Sequence, residues 1–173
     1  MVKHLPLLLL FFLCFSLSPS LNAQWLVGGG VTLGGTPEGR LGLNVKTTFP
    51  ITGRLVLGPN LTFFAAETDD TQTADTKTQF TALNLDAQLQ FDVIDNLVMY
   101  PLAGVQIAFL DFETDIPGLG TETENKSDVG INLGGGGRYQ FLDRLSGFGE
   151  LAYTVGGMDQ LNFTFGVLFH LVE

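Results

Sequence analysis

From residue 129 to 141 the chain alternates with period two. Val129, Ile131, Leu133, Tyr139 and Phe141 fall on odd positions, and Gly130, Asn132, Arg138 and Gln140 on even ones. Such alternation gives an extended segment one apolar and one polar face, which is the pattern of a β-strand. From Gln79 onward, Leu83, Leu85, Ala87, Leu89 and Phe91 stand opposite Asn84, Asp86, Gln88, Gln90 and Asp92. Residues 40–49 repeat it, with Leu41, Leu43, Val45 and Phe49 against Arg40, Asn44 and Lys46. The last segment sets Leu161, Phe163, Phe165, Val167, Phe169 and Leu171 against Asn162, Thr164, Gly166 and His170, with Leu168 the apolar exception. No stretch of 3.6-residue periodicity competes with this pattern.

Eight segments qualify, at 25–35, 39–49, 54–66, 79–92, 97–110, 129–141, 145–155 and 161–171. Most are longer than the ~5–6 residues of an average soluble strand and match the ~9–11 that cross a bilayer at a tilt. Their connections alternate: 50–53, 93–96 and 142–144 read as tight turns, whereas 67–78 and 111–128 read as long loops rich in Thr, Asp and Glu. The expectation is an all-β fold, an eight-stranded antiparallel up-and-down transmembrane β-barrel. A soluble barrel or sandwich is the structural alternative, and it would need a charged polar face. Here that face is mostly Gly, Asn, Gln and Thr, while the apolar face holds too much Phe, Leu and Val for the lumen of eight strands.

Composition supports a lipid-facing exterior. Charged residues are 15% and hydrophobic ones 45% of the chain, where a soluble domain carries roughly 25% charged. The formal net charge is −10, with 8 Lys+Arg against 18 Asp+Glu, which argues against a nucleic-acid partner. Residues 1–23 read as a signal peptide: Lys3 and His4, an apolar run from Leu5 to Leu17, then Leu21-Asn22-Ala23 before a cleavage site. The run is too short for the ~20 residues of a spanning helix. Residues 24–173 are then the barrel domain. Cys14, the single cysteine, lies in that leader behind the bulky Leu13, so a lipid anchor, disulfides and thiolate metal sites are not expected.

The stretch Gly134-Gly-Gly-Gly-Arg-Tyr-Gln-Phe-Leu-Asp-Arg-Leu-Ser146, running into Phe148-Gly-Glu-Leu-Ala-Tyr153, resembles the penultimate hairpin of the small eight-stranded outer-membrane β-barrels of Gram-negative bacteria, of the OmpX and OmpA transmembrane-domain type. The last strand, Phe163 to Leu171, resembles the C-terminal signal read by the outer-membrane assembly machinery, although the family usually ends on an aromatic and this chain ends Leu171-Val172-Glu173. The resemblance implies a monomer in the outer membrane, in contact with lipid and lipopolysaccharide. It implies little chemistry, because the family contains many functions.

Candidate functional residues fall into four sets. The inward charges Arg40, Lys46, Arg54 and Arg138 against Asp86, Asp92 and Glu150 are expected to pair in a low-dielectric lumen. Arg138 and Glu150 come nearly opposite if their hairpin turns at Asp143-Arg144. Outward aromatics near strand ends, Trp25, Phe49, Phe91, Tyr139, Phe141, Tyr153 and Phe169, fit an interfacial girdle. The parity of Tyr100 places it instead with Gly104 and Gln106. Asp111, Glu113 and Asp115 share one face of an extended segment and could take a hard cation such as Ca²⁺, although a hydrated acidic loop is the simpler reading. Catalysis has few parts: beyond the leader there is one His, His170, and two Ser, Ser127 and Ser146, so no enzyme activity or cofactor is expected. The glycine runs 28–30 and 134–137 lack phosphate-loop spacing. The functional expectation is a structural or surface-interaction barrel with a filled lumen and acidic loops, with a narrow passive channel as the alternative. A soluble periplasmic barrel and a lipid A-modifying enzyme come behind these.

Overall fold

The computed structural model describes residues 25–34, 39–70, 75–116 and 120–171; the expected signal peptide, 1–23, lies outside them. Ten strand segments follow one another: β1 Trp25–Gly34, β2 Arg40–Thr52, β3 Leu55–Phe64, β4 Glu67–Asp70, β5 Asp75–Leu89, β6 Phe91–Ile94, β7 Leu97–Ile116, β8 Gly120–Leu142, β9 Leu145–Gly156 and β10 Gln160–Leu171. β4 carries on from β3 after Ala65-Ala66, and β6 carries on from β5 after Gln90, so the ten segments make eight staves. All pairings are antiparallel, and β1 closes on β10 with Trp25 opposite Leu171 and Leu33 opposite Phe163. Closure gives every stave a neighbour on both sides, as a membrane with no water for free backbone groups demands.

The alternation sorts the side chains inside out. Leu43 is 67% exposed and Val129 64%, whereas Lys46 is 1% exposed. In water that outer face would be an apolar surface far larger than a soluble monomer tolerates; against lipid tails it is the favoured one. At the β1–β10 seam Gly30 faces Gly166, and a methyl on Gly30 would come 2.1 Å from the Phe165 carbonyl oxygen. A side chain there would force the closing strands apart.

One end of the barrel is closed by tight turns at Gly53-Arg54, Asp95-Asn96 and Asp143-Arg144, with Asn96 at φ 70° and Gly53 at φ 49°. Beside each turn lies a register irregularity, at Pro50/Thr52, Asp92/Ile94 and Gln140/Leu142. The other end corrects the expectation of long loops. Residues 67–78 and 111–128 are mostly strand: β7 and β8 pair continuously up to Ile116 opposite Gly120, β5 pairs with β7 up to Asp75 opposite Asp115, and β4 adds Glu67 opposite Thr78. Thr-rich sequence suits extended backbone, and the neighbouring staves supply the hydrogen bonds that a loop would seek from water. The result is a sheet arm. β9 meets β8 only from Gly130, so residues 120–129 run along an edge, and at its root Asp128 Oδ1 accepts from the Val129 N–H at 2.8 Å.

Candidate functional site: the lumen and the acidic arm

The buried polar side chains come from the inward positions of every stave. Glu150 of β9 is the centre of one cluster. Its Oε1 accepts from Lys46 Nζ in a close ion pair, from Tyr100 OH at 2.8 Å and from Gln88 Nε2 at 3.2 Å. The Lys46 ammonium also lies 5.4 Å from the Phe148 ring centroid. Gly136 stands opposite Glu150, where a methyl would be 2.6 Å from Glu150 Cγ; glycine there makes the room in which Tyr100 reaches the carboxylate. A pair this deep is stabilising only when further hydrogen bonds support it, and the Tyr100 hydroxyl and the Gln88 amide add two donors to the same carboxylate oxygen.

The partner of Glu150 is therefore Lys46 across the lumen, and not Arg138 in the same hairpin. The register irregularity after Gln140 sets Arg138 opposite Phe148, and its Nη2 reaches Gln90 Oε1 at 3.4 Å. Arg40 binds Glu67 at 2.6 Å, at the root of the arm. Arg54 and Asp92, expected inside, are exposed. They occupy the turn-end rim, beyond the enclosed stretch, where Arg54 sits 5.6 Å from the Phe91 ring centroid. Asp86 is buried without an ion-pair partner among the described residues, held by Asn60 Nδ2 at 3.0 Å and Asn132 Nδ2 at 2.9 Å.

Apolar side chains crowd the lumen on both sides of this polar middle. Leu26, Phe148 and Leu168 cluster toward the turn end. Phe64, Phe80, Ala82 and Ala108 cluster toward the arm, packed by Leu110 and Met158, with the two rings stacked at 4.8 Å. Near the turn end Ser146 Oγ and His170 Nε2 are 2.7 Å apart. Both are buried, Ser146 completely, and the contact ties β9 to β10. Ser127 is exposed on the arm opposite Phe109.

Among the aromatics, Trp25 and Phe49 stack at 5.5 Å, and Phe91, Tyr139, Phe141 and Phe169 are outward and exposed within a few residues of the turn end. Tyr153 lies outward near the arm end, opposite Leu161. On β7, Asp111 and Glu113 are exposed and face outward, opposite Gln79 and Lys77 of β5, and Asp115 follows opposite Asp75. Among the described residues no three or more His, Cys, Asp or Glu converge as metal ligands. On the outward face of β7, Ile107 and Phe109 give way to Asp111 and Glu113, and there the lipid-like surface ends. Both glycine runs lie inside strands.

A closed, all-antiparallel barrel of eight staves with an apolar exterior and a polar interior defines an outer-membrane β-barrel protein. The family model "Outer membrane protein beta-barrel domain" matches residues 7–170, and the chain belongs to that family. Solved structures share the fold at low identity. A major outer membrane protein from Thermus thermophilus aligns at 14% identity and TM-score 0.68, covering 87% of this chain and 100% of that one. Neisserial surface protein A aligns at 11% and 0.60, covering 88% and 99%. Ail, the attachment invasion locus protein of Yersinia pestis, aligns at 10% and 0.59, covering 86% and 97%. No curated protein matches the chain.

Proposed function

We propose that the protein is a filled, non-catalytic barrel of a Gram-negative outer membrane, delivered by a cleaved signal peptide and working through surface contacts made by its arm. The turns face the periplasm in this reading and the arm faces out, and the last strand is what the assembly machinery takes up. The observation that carries it is the arm itself. β4, β5, β7 and β8 continue beyond the lipid-like surface as one sheet, and β8 presents an edge over residues 120–129. An open edge is a template for strand addition, and a surface dominated by Asp and Glu, with Lys77 and Lys126 the exceptions, selects a cationic partner.

Ail has been crystallised with the heparin analogue sucrose octasulfate; the charge of this arm favours ligands of the opposite sign. A conducting role has less support, because apolar clusters crowd the lumen on both sides of its polar middle. The test is a variant with residues 112–124 replaced by a short turn. It should still run compactly in SDS until boiled, yet lose salt-sensitive binding of proteoliposomes to an immobilised polylysine surface. Undiminished binding by the shortened barrel would overturn the reading.

A further inference from the structure

The amide side chains around Asp86 share one orientation, and Asp86 sets it. A carboxylate only accepts, so the Asn60 and Asn132 amides that hold it must donate, and each then offers its oxygen to the next residue. Asn60 Oδ1 accepts from Asn84 Nδ2 at 2.9 Å and from Asn44 Nδ2 at 3.2 Å. Asn84 Oδ1 accepts from Asn132 Nδ2 at 2.9 Å and Gln106 Nε2 at 3.0 Å. Asn44 gives its second proton to Thr62 Oγ1 at 2.8 Å. The donors are thus spent toward Asp86, and oxygens are left over.

Asn44 Oδ1 is one of these, and with Asn162 Oδ1 from β10 it is buried with no hydrogen-bond partner. Asn44 is only 4% exposed. Both residues line a cavity of about 30 Å³ whose wall also carries Asp86 and Glu150. The charge there is unbalanced as well, since Asp86 and Glu150 share the field of one buried ammonium, Lys46, which is bonded to Glu150. Surplus acceptors and a surplus negative charge at one place call for an electron-poor occupant.

We propose that this chamber binds one partly hydrated monovalent cation, Na⁺ or K⁺, through the Asn44 and Asn162 amide oxygens in the field of Asp86. Its volume of about 30 Å³ exceeds the ~10–15 Å³ that one water needs, so an ion there can keep part of its hydration, and the single surplus charge matches a monovalent ion. Water would satisfy the two acceptors but leave the charge unmatched.

The test uses the full barrel refolded in zwitterionic micelles. Its urea-unfolding equilibrium is followed in NaCl, KCl, LiCl and N-methyl-D-glucamine chloride at one ionic strength, so that screening is common to all. A site occupied only in the folded state makes the unfolding constant fall up to tenfold for each tenfold rise in ion above its dissociation constant. The expected result is that fall for Na⁺ or K⁺ and none for the organic cation, with the ion response lost in Asp86→Asn. Identical stability in all four chlorides would overturn the proposal in favour of water, and an undiminished ion response in Asp86→Asn would overturn the assigned site. Should Asp86→Asn fail to refold, the native chain decides alone, through the difference between the small cations and N-methyl-D-glucamine.

Discussion

The spanning barrel and the arm are built from the same strands, yet opposite rules govern their faces. On β7, Val105 and Ile107 turn outward into lipid while Leu102 and Gln106 fill the lumen; a few residues on, Asp111 and Glu113 occupy the outward face. The backbone pairing does not change across that boundary, since β7 and β8 stay in register from Leu97 opposite Tyr139 to Ile116 opposite Gly120. What changes is the solvent. Hydrogen bonding builds the sheet in both regions, but only in the barrel does the polarity of the surroundings dictate each side chain. The barrel should therefore be intolerant of charge changes and the arm indifferent to them.

The largest effect should come from Glu150→Ala, which leaves the Lys46 ammonium and the Tyr100 hydroxyl buried without their acceptor. Stability measured by urea titration should fall by about 3–5 kcal/mol. Adding Lys46→Met should recover most of the loss, and if it does not, the pair is not what the first change removed. Next comes Leu43→Arg on the lipid face, at about 2–4 kcal/mol near the bilayer midplane, whereas Glu113→Arg on the outward face of the arm should stay within about 0.5 kcal/mol. Equal losses at these two sites would erase the distinction between the regions. A more discriminating variant exchanges charges, Arg138→Glu with Glu150→Arg. The double change should be no more stable than Glu150→Arg alone, because Arg138 meets Phe148 and Gln90 instead of Glu150. Smallest of all, Asp111→Asn should leave stability unchanged within error and affect only salt-sensitive binding by the arm.

Period two revealed the staves and their faces because burial is decided residue by residue along a strand. It also put Tyr100 on the luminal side. Partners across the lumen were not legible: Lys46 and Glu150 are 104 positions apart in sequence, and which inward charges share a level depends on the stagger of the closed barrel. The Arg138–Glu150 expectation failed on register: Arg138 lies opposite Phe148 and Glu150 opposite Gly136, an offset that no pattern of apolar residues marks. The arm was missed for a different reason. Its Thr and acidic residues are polar on both faces, so alternation fades where strand pairing continues, and polar sequence read as loop. The inward amides were visible as even positions such as Asn84, Gln88 and Gln90 and as Asn44 and Asn132; which of the two buried carboxylates, Asp86 or Glu150, orients each was not.

If the apolar faces meet lipid and that surface ends where the arm begins, a quencher buried among the acyl chains should tell the two regions apart. Single tryptophans are placed at Leu43, Val105, Ile131 and Glu113, in a chain carrying Trp25→Phe and reconstituted into vesicles of brominated lipid. Strong quenching is expected at the first three positions and little at the fourth. Uniformly weak quenching at all four would contradict a lipid-facing exterior.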